Sequence, residues 1–428
     1  MIKRPFFGFI KPEPIHPIPV HLSQVSMKEF LVPRRVTLFL NVAHENGNGF
    51  TIRVGDPVKT GQKLKASEGD NAYAISSVTG TIAGISEYIG YLGQTFTAIS
   101  IDRAGEEQWD ETFKAAGETP SLDNALEFLG CLPGVTDFSA LLNPERPLKT
   151  VVVSGIDQDL MITTNQLILK TESKRLKDGM ELLRKLTGAD RIMIISPPDL
   201  CAEAEETGAE VELIEPAYPN TLPKIVAKNV LGTVVPAGKR LEDLRVGFIN
   251  AEAVLALANT FTDGHLPVTK VVTVIGKDLA PVHLRVRIGT HVGDILSDQG
   301  IEARHGDRLI LGGPMTGHAV HSVDTPVLHD TDALMIQDNS QIVSGSDLHC
   351  VNCGECVRAC PADIPINILI RLLENGLYED AVRDYDLLCC IECGLCSYVC
   401  PARIPVFHYV MLGKFEFTRM ESLEKSNG

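Results

Sequence analysis

Hydrophobic and polar residues follow several distinct patterns along the 428-residue chain. Between residues 36 and 103, apolar and polar positions alternate over short runs such as VTLFL and TFTAISI, which predicts an all-β unit. Between residues 148 and 268, short apolar runs (KTVVVSG, DRIMIISP, VELIEP) alternate with helical stretches (SKRLKDGMELLRKLTG, LCAEAEETG). That alternation predicts a parallel sheet with helices on its faces, as in a Rossmann-like α/β unit.

Residues 269–325 return to a β pattern, in TKVVTVIG, HLRVRIGT and DRLILGG. A linker through LMIQDNSQIVSGSD then leads into a cysteine-rich region at 340–410, where NILIRLLENGLYEDAVRDYDLL has a helical period. The remaining segments are an N-terminal arm at 1–30, which with the β unit makes up residues 1–104, a helical connector at 105–147 and a tail at 411–428. The predicted fold class is multidomain α/β plus β, followed by a helical module.

The charge and the apolar runs exclude several classes of partner. The formal net charge of −16 argues against binding to nucleic acid or to anionic lipid, because both require a basic face. No apolar run approaches the roughly 20 residues that span a bilayer, and the N-terminus lacks a signal-peptide pattern. We therefore expect a protein without a transmembrane segment, in the cytoplasm or on the cytoplasmic side of the cell membrane.

The cysteines are concentrated in one region. Of eleven, nine lie between Cys350 and Cys400, which indicates metal binding in a chain of this size. They form two groups, Cys350-x-x-Cys353-x-x-Cys356-x-x-x-Cys360-Pro361 and Cys390-x-x-Cys393-x-x-Cys396-x-x-x-Cys400-Pro401. Each group has the spacing of bacterial two-cluster ferredoxins, in which the fourth cysteine binds the other cluster.

The spacing therefore predicts two [4Fe–4S] clusters with crossed ligands. One set is Cys350, Cys353, Cys356 and Cys400, and the other is Cys390, Cys393, Cys396 and Cys360. Zinc is the alternative, but zinc favours two separated CxxC pairs. Gly354 and Gly394 would let the backbone pass close to inorganic sulfide. Three further cysteines are expected to be core thiols: Cys131, Cys201 and Cys389.

The order of these segments resembles a known family. VGDPVKTGQ and VTGTIAGI are similar to the two halves of a barrel-sandwich hybrid, although no carrier lysine lies between them. IleHisPro at 15–17, GGPMTG at 312–317 with TPV at 325–327, and CIECGLCSYVCPARIPV at 390–406 resemble motifs of the RnfC family, the C subunits of Rnf-type ion-translocating ferredoxin:NAD⁺ oxidoreductases. The resemblance implies that 269–325 is a β-grasp unit of the soluble-ligand-binding (SLBB) kind. A related subunit of the Na⁺-translocating NADH:quinone reductase is similar but lacks the clusters.

In that family the α/β unit resembles the flavoprotein subunit of complex I, where a GGAGFP-type loop binds FMN. The matching stretch here is LGCLPGVTDF at 129–138, with Leu132, Pro133 and Val135 where bare backbone should face phosphate. A further family motif, YPQG-like, becomes YPNTLP at 218–223. FMN therefore remains a possible cofactor, and the altered loop argues against NADH dehydrogenase activity of this chain's own.

Two other features have open interpretations. The family motif NGAECEP becomes SGIDQDL at 154–160, and its Asp157 is either an FMN or NAD contact or, as we favour, a solvated carboxylate at a strand end. GGPMTG is either a ligand cradle or, more simply, a tight β connection. No catalytic triad, zincin motif or P-loop is present in the sequence, so no catalytic residue is assigned.

The resemblance implies a peripheral electron-transfer subunit with two kinds of partner, a soluble electron carrier and the membrane subunits of an Rnf-type complex. In one role, the chain handles NAD(H) through FMN and relays single electrons. In the other role, the chain only relays electrons. The altered loop favours the second role. The alternatives are a stand-alone flavin- and Fe–S-dependent cytosolic reductase, similar to a corrin reductase, and a scaffold with redox-inert clusters.

Overall fold

The computed structural model describes residues 14–17, 26–41, 51–65, 72–116, 121–135, 137–346 and 348–427. They divide into two compact units. The sheet unit comprises Ile18–Pro216 and Leu241–Ser340, and the cysteine unit comprises Met1–Pro17, Ala217–Arg240 and Gln341–Gly428.

The first part of the sheet unit consists of short strands. They are Met27–Glu29 (β1), Arg35–Leu40 (β2), Pro57–Val58 (β3), Lys63–Lys65 (β4), Tyr73–Ile75 (β5), Gly80–Ile89 (β6) and Thr95–Arg103 (β7). Four of them form an antiparallel sheet in the order β2–β7–β6–β3, and β4 pairs with β5. Val36, Leu38 and Leu40 alternate along β2 and are almost inaccessible, so one face of the sheet carries the core. The β pattern predicted for residues 36–103 is confirmed for the residues of this range that the structure describes.

A parallel sheet follows two short helices. The elements in chain order are Thr112–Ala116 (α1), Leu122–Phe128 (α2), Thr150–Ser154 (β8), Thr164–Thr187 (α3), Arg191–Ser196 (β9), Cys201–Glu206 (α4), Glu210–Leu213 (β10), Pro223–Asn229 (α5), Val246–Asn250 (β11) and Ala251–Asp263 (α6). Helix α5 belongs to the cysteine unit. The strand order is β10–β9–β8–β11, all parallel, as the alternating pattern predicts. Strand β11 was not predicted from the sequence, because Gly247 interrupts the short apolar run VGFIN.

The third sheet of this unit is mixed. Its remaining elements are Thr269–Ile275 (β12), Pro281–Arg287 (β13), Val292–Asp298 (α7), Arg308–Leu311 (β14), His318–Val320 (β15) and Ala333–Gln337 (β16), and the strand order is β1–β13–β12–β16–β14–β15. The stretch LMIQ is therefore not a linker, since Leu334, Met335 and Ile336 are buried in a central strand. Strand β1 joins one edge from the N-terminal arm, so the sheet extends beyond residues 269–325 in both directions.

The cysteine unit is helical. Besides α5, its helices are Glu355–Ala359 (α8), Ile366–Glu374 (α9), Tyr378–Tyr385 (α10), Leu395–Tyr398 (α11) and Val406–Asn427 (α12). Leu369 and Leu373 of α9 pack with Leu387 and Val410 in its core. The segment 217–240, which lies within the span predicted as the α/β unit, clusters here with the cysteine groups. Within the described residues, no helix is both long enough and apolar enough to cross a membrane.

Candidate iron–sulfur sites

The two cysteine groups fold as a structural repeat, with an offset of 40 residues between Cys353 and Cys393. Asn352 and Glu392, which precede these cysteines, have left-handed φ angles of 55° and 61°. Gly354 and Gly394, which follow them, have φ angles of 76° and 70° and lie directly before α8 and α11. Both groups therefore present their first three thiols from the same kind of backbone turn.

The first three cysteines of one group meet the last cysteine of the other. Cys350, Cys353 and Cys356 line one cavity together with Cys400. Most of the other lining residues are apolar and include Ile404. Burial raises the pKa of the Cys356 thiol to about 11, and the charges of the other three cysteines add to this rise.

The remaining four cysteines gather in the same way. Burial raises the pKa of Cys393 to about 12, and it also raises the pKa values of Cys390 and Cys396. The charge of Cys360 contributes to all three rises, so Cys360 lies close to the other three thiols. The structure thus brings together the same two crossed sets that the ferredoxin spacing predicts. Their role as cluster ligands stays a prediction.

The chemistry of these sets fits a cubane cluster. In a [4Fe–4S] cluster each thiolate binds a different iron, so four cysteines surround a volume larger than one ion. Among the described residues, no three His, Cys, Asp or Glu side chains converge on a position for a single metal ion. Backbone N–H groups also face the sulfurs: that of Glu392 donates to Cys390 Sγ over 3.4 Å. Such hydrogen bonds stabilise thiolate charge at a cluster.

Three residues beside the second set were not predicted from the sequence. The Tyr218 hydroxyl donates to the Cys393 carbonyl over 2.5 Å. Lys414 Nζ donates to the Cys390 carbonyl over 2.8 Å and to Glu392 Oε1 over 2.6 Å. Lys224 of α5 is half-buried, and burial, followed by the charge of Lys414, lowers its pKa.

The YPNTLP and IleHisPro motifs both lie in the cysteine unit. Ile15 and Tyr218 exchange two backbone hydrogen bonds, of 3.2 Å and 2.7 Å. Since Tyr218 also binds the Cys393 carbonyl, these motifs support the turn that carries the second cysteine set.

The cysteines outside the two sets are all partly exposed. This applies to Cys131, Cys201 and Cys389. The expectation of a buried thiol at Cys389 is therefore wrong, and Cys131 and Cys201, which were expected in the core, are only partly covered. Cys201 lies on α4, where its thiol contacts Glu205 Oε1 at 3.7 Å.

The loop at 129–138, which the family resemblance matches to an FMN-binding loop, packs against the rest of the sheet unit. Leu129, Leu132 and Phe138 are inaccessible to solvent, so their side chains fill the core. The Gly130 N–H donates to the Tyr73 hydroxyl over 2.7 Å, and the Gly134 N–H donates to the His329 carbonyl over 2.6 Å. These backbone donors are thus occupied by acceptors of the protein itself.

The charges near this loop also oppose a phosphate. Burial raises the pKa of Cys131 to about 11, and the carboxylates of Asp137 and Asp330 raise it further. A phosphate at this position would face two carboxylates instead of a row of free N–H groups. The residues of this loop that the structure describes therefore do not fit FMN.

Asp157 lies at the N-terminus of α3 and is only 6% exposed. Its Oδ1 accepts hydrogen bonds from the backbone N–H and the side-chain amide of Asn165, both over 3.0 Å. Its Oδ2 accepts from the Gln166 N–H over 3.3 Å. Burial raises the pKa of Asp157 to about 6. The interpretation as a solvated strand-end carboxylate is wrong, since this carboxylate caps a helix from a buried position.

Asp159 of the same motif binds the GGPMTG turn. Its Oδ1 accepts from the Met315 N–H over 3.1 Å, and its Oδ2 accepts from the Thr316 N–H over 2.8 Å. The turn joins β14 to the antiparallel β15. The tight-connection interpretation is therefore correct, and an internal carboxylate occupies the backbone donors that a ligand would need.

Comparison with known proteins gives matches over most of the chain. No family model matches it. The chain is 25% identical to the C subunit of the proton-translocating ferredoxin:NAD(+) oxidoreductase complex of Clostridium ljungdahlii, across 79% of this chain and 78% of that protein. It is 25% identical to the C subunit of the ion-translocating oxidoreductase complex of Klebsiella pneumoniae, across 82% of this chain and 49% of that protein. For the corresponding C subunit of Rhodobacter capsulatus the identity is 24%, across 73% of this chain and 64% of that protein.

The chain thus spans half to two thirds of the length of the last two relatives. Among solved structures, an NAD⁺-reducing [NiFe]-hydrogenase in its H₂-reduced state matches with a TM-score of 0.47 and 13% identity, over 72% of this chain and 62% of that chain. The sequence matches agree with the resemblance that the motifs indicate, and the chain is a homologue of the C subunits of the ion-translocating oxidoreductase complexes.

Proposed function

We propose that the chain is an electron-transfer subunit of an Rnf-type, membrane-bound ion-translocating oxidoreductase complex. In this role it relays electrons between a soluble carrier of the NADH or ferredoxin class and membrane subunits. The observation that carries the proposal is the crossed arrangement of the two cysteine sets, in which Cys400 joins the first three cysteines and Cys360 joins the second three.

A [4Fe–4S] cluster, when bound, exchanges one electron at a time. Cys350, Cys353, Cys356 and Cys400 would hold one cluster, and Cys360, Cys390, Cys393 and Cys396 would hold the other. Cys353 is exposed, whereas Cys393 is 7% exposed and no cysteine of the second set is fully exposed, so the first set offers the more accessible edge. This difference suits a relay in which a soluble partner approaches the first set.

The relay works without a flavin at residues 129–138, because that loop does not fit FMN. NADH dehydrogenase activity of the chain itself is therefore not part of the proposal. The alternative, a stand-alone flavin-dependent reductase, requires a flavin site in this chain, and the packing of the loop against Tyr73 and His329 opposes one there.

The finer assignments of the architecture belong to the same proposal. The sheet β2–β7–β6–β3 with the pair β4–β5 would be a barrel-sandwich hybrid, and the mixed sheet would be a β-grasp unit of the SLBB kind. The protein would sit at the cytoplasmic side of the membrane as a peripheral member of its complex. The names of the relatives support membership in such a complex.

The crossed ligand sets are tested on the anaerobically prepared full chain. We expect about eight iron atoms per wild-type chain and two electron paramagnetic resonance (EPR) signals after reduction by dithionite. Cys360→Ala should abolish the signal of the cluster held by the second group, and Cys400→Ala should abolish the other. Binding of zinc in place of iron, or retention of both signals in both variants, would refute the proposal.

The relay role is tested by reducing the cluster-loaded chain with NADH, with and without added FMN. Dithionite should bleach the cluster absorbance, and NADH should leave it unchanged under both conditions. Bleaching by NADH only in the presence of FMN would show that the chain handles NADH through a flavin. Isolation of the tagged chain from its native membranes should also recover hydrophobic subunits, which a stand-alone reductase would lack.

A further inference from the structure

The cysteine unit contains two equivalent turns, the first at 350–354 and the second at 390–394, which differ in exposure. The offset of 40 residues relates three positions near the first turn to three near the second: Leu348 to Leu388, Val351 to Ile391, and Cys353 to Cys393. All three positions are exposed at the first turn, where Leu348 and Val351 are each 67% exposed. All three are buried or partly buried at the second turn. Equivalent side chains therefore face solvent at the first turn and protein at the second.

The second turn is covered by a segment of the chain itself. The Tyr218 hydroxyl donates to the Cys393 carbonyl over 2.5 Å. A Cβ atom placed on Gly238 would lie 3.5 Å from Cδ1 of Leu388, so the backbone at this glycine contacts the leucine. Tyr218 and Gly238 both belong to the segment 217–240 of the cysteine unit. This segment thus supplies both an apolar contact and a hydrogen-bond donor to the second turn.

The cover of the second turn indicates what kind of group fits the first. Because both turns have the same left-handed backbone positions, a protein segment with an apolar surface and a hydrogen-bond donor suits both. The Cys353 carbonyl accepts from Arg358 over 3.5 Å, which is longer than a usual N–H···O bond, so this oxygen can take a stronger donor.

The charges beside the first turn favour an apolar contact. Within 348–358, the Asp, Glu, Lys and Arg side chains are those of Glu355 and Arg358, which pair with each other over 2.6 Å. This stretch therefore has no net charge, although the whole chain has a net charge of −16. An acidic partner that the rest of the chain repels would meet no net negative charge on this stretch.

The partner must also deliver electrons singly. NADH gives up its electrons as a pair, in a hydride, and the described residues of the loop 129–138 do not fit the FMN that could separate them. A cluster held by the first set would accept one electron at a time. A soluble protein with its own one-electron centre meets this requirement. Because it binds reversibly, it would leave the first turn open in the free chain.

We infer that Leu348, Val351 and the Cys353 carbonyl form a docking face for a soluble one-electron carrier protein, which covers the first turn as residues 217–240 cover the second. In the transfer, the centre of the carrier loses one electron and the cluster of the first set gains it. The inference rests on the proposed function, since it requires the first cluster to be bound. It adds the residues at which the carrier makes contact.

The test is the rate at which the intact, cluster-loaded chain oxidises a reduced plant-type [2Fe–2S] ferredoxin, followed without oxygen by stopped-flow absorbance of the ferredoxin. Leu348→Gln should lower the second-order rate constant about five- to tenfold, because an apolar contact of the docked complex is lost. Reduced methyl viologen needs no docking face, so its rate should be unchanged. Leu377→Gln is the matched control and should retain the wild-type rate with both reductants. Leu377 is 45% exposed and follows the C-terminal end of α9, whereas Asn367 near the N-terminal end of α9 lines the first-set cavity.

Two further measurements separate docking from damage to the cluster. Leu348 is not among the residues that line the first-set cavity, whereas Val351 is, so Leu348→Gln should retain full iron content and both EPR signals. Hydrogen exchange at 348–354 should slow when the ferredoxin is added, while exchange at 388–394 should not change. Added salt should not lower the rate, since the docking stretch carries no net charge.

Equal ferredoxin rates for wild type and Leu348→Gln would overturn the inference, as would an equal loss of the viologen rate or a steep fall of the rate with salt. A wild-type chain whose clusters react with viologen but not with the ferredoxin would also overturn it. If Leu348→Gln kept the ferredoxin rate but no longer co-purified with hydrophobic subunits, the face would belong to a membrane subunit and the inference would be wrong. A wild-type chain that binds no clusters would instead refute the proposed function.

Discussion

The carboxylate of Asp159 accepts hydrogen bonds from both the backbone N–H and the side-chain hydroxyl of Thr316, over 2.8 Å and 2.6 Å. It also accepts from the backbone N–H of Met315 over 3.1 Å. Asp159 lies in the SGIDQDL motif, and Thr316 lies in the GGPMTG motif. Two motifs that each suggested a ligand contact are therefore partners in one internal contact of the sheet unit.

Substitution of Asp159 should destabilise the sheet unit. Asp159→Ala would remove the buried carboxylate that accepts hydrogen bonds from Met315 and Thr316, at a cost of about 1–3 kcal/mol in the free energy of unfolding. Urea unfolding, followed by the fluorescence of Trp109, the single tryptophan, measures this loss. Asp199→Ala is the control, because Asp199 is exposed, and it should change stability by less than about 0.5 kcal/mol. Equal effects of the two substitutions would contradict a structural role for Asp159.

The same contact leaves no room for a side chain at Gly313. A Cβ atom there would lie 2.4 Å from Cγ of Asp159. We expect Gly313→Ala to cost about 1–3 kcal/mol, since the turn and the carboxylate must move apart. Gly105→Ala is the matched control, because nothing lies within 4 Å of a Cβ at that position. If both variants unfolded at the urea concentration of the wild type, the turn would be able to accept the Cβ atom without loss of stability, and the prediction would be wrong.

A buried ion pair provides a third prediction. Lys270 is inaccessible and is hydrogen-bonded to Glu252 and, over 2.9 Å, to Asp332. Burial alone would lower the pKa of Lys270, but the carboxylates of Asp332 and Glu252 raise it. Lys270→Met should cost about 3–5 kcal/mol, because it leaves the buried Glu252 charge without its partner.

The double substitution of Lys270→Met with Glu252→Gln should recover part of this loss, since it also removes the uncompensated charge. The surface pair of Arg35 and Asp102 serves as the comparison, because both side chains are 53% exposed. Arg35→Ala should change the free energy of unfolding by about 1 kcal/mol or less. A similar loss for Lys270→Met and Arg35→Ala would contradict the prediction.

The burial of His283 should make the stability of the protein fall at acidic pH. It is fully buried, with Nε2 2.9 Å from the Thr163 hydroxyl, and burial lowers its pKa to about 4. The unfolded chain takes up a proton near pH 6.5, whereas the folded chain does so only near pH 4. The contribution of neutral His283 is therefore complete above pH 6.5, and up to about 3 kcal/mol is lost as the pH falls toward 4.

His283→Gln removes the titrating group, so the stability of this variant should fall less than that of the wild type between pH 7 and pH 4.5. Urea unfolding at a series of pH values measures the difference between the two proteins. His305→Gln, at an exposed histidine, is the control and should follow the wild type. Parallel stability curves for wild type and His283→Gln would show that this histidine is not the source of the acid sensitivity.

The cysteine sets and the parallel sheet were predictable because the sequence patterns that indicate them lie within short stretches of the chain. The cysteine spacing identifies both crossed sets, and the alternation of apolar runs with helical stretches identifies the parallel sheet. The contacts that were missed join residues far apart in the chain: the Tyr218 hydroxyl and the Cys393 carbonyl are separated by 175 residues. The exposure of Asp157 was predicted wrongly, because a residue at a strand end is usually solvated, whereas here the N-terminus of α3 covers the carboxylate.

The crossed cysteine sets also determine when each site can form during protein synthesis. The ribosome makes Cys360 before Cys390, so the second set is complete once Cys396 has been added. The first set has three of its cysteines by residue 356, but it must wait for Cys400. Neither of the proposed clusters could therefore be fully ligated until after the sheet unit has been synthesised, and a chain that stops before residue 396 would lack a cysteine of both sets.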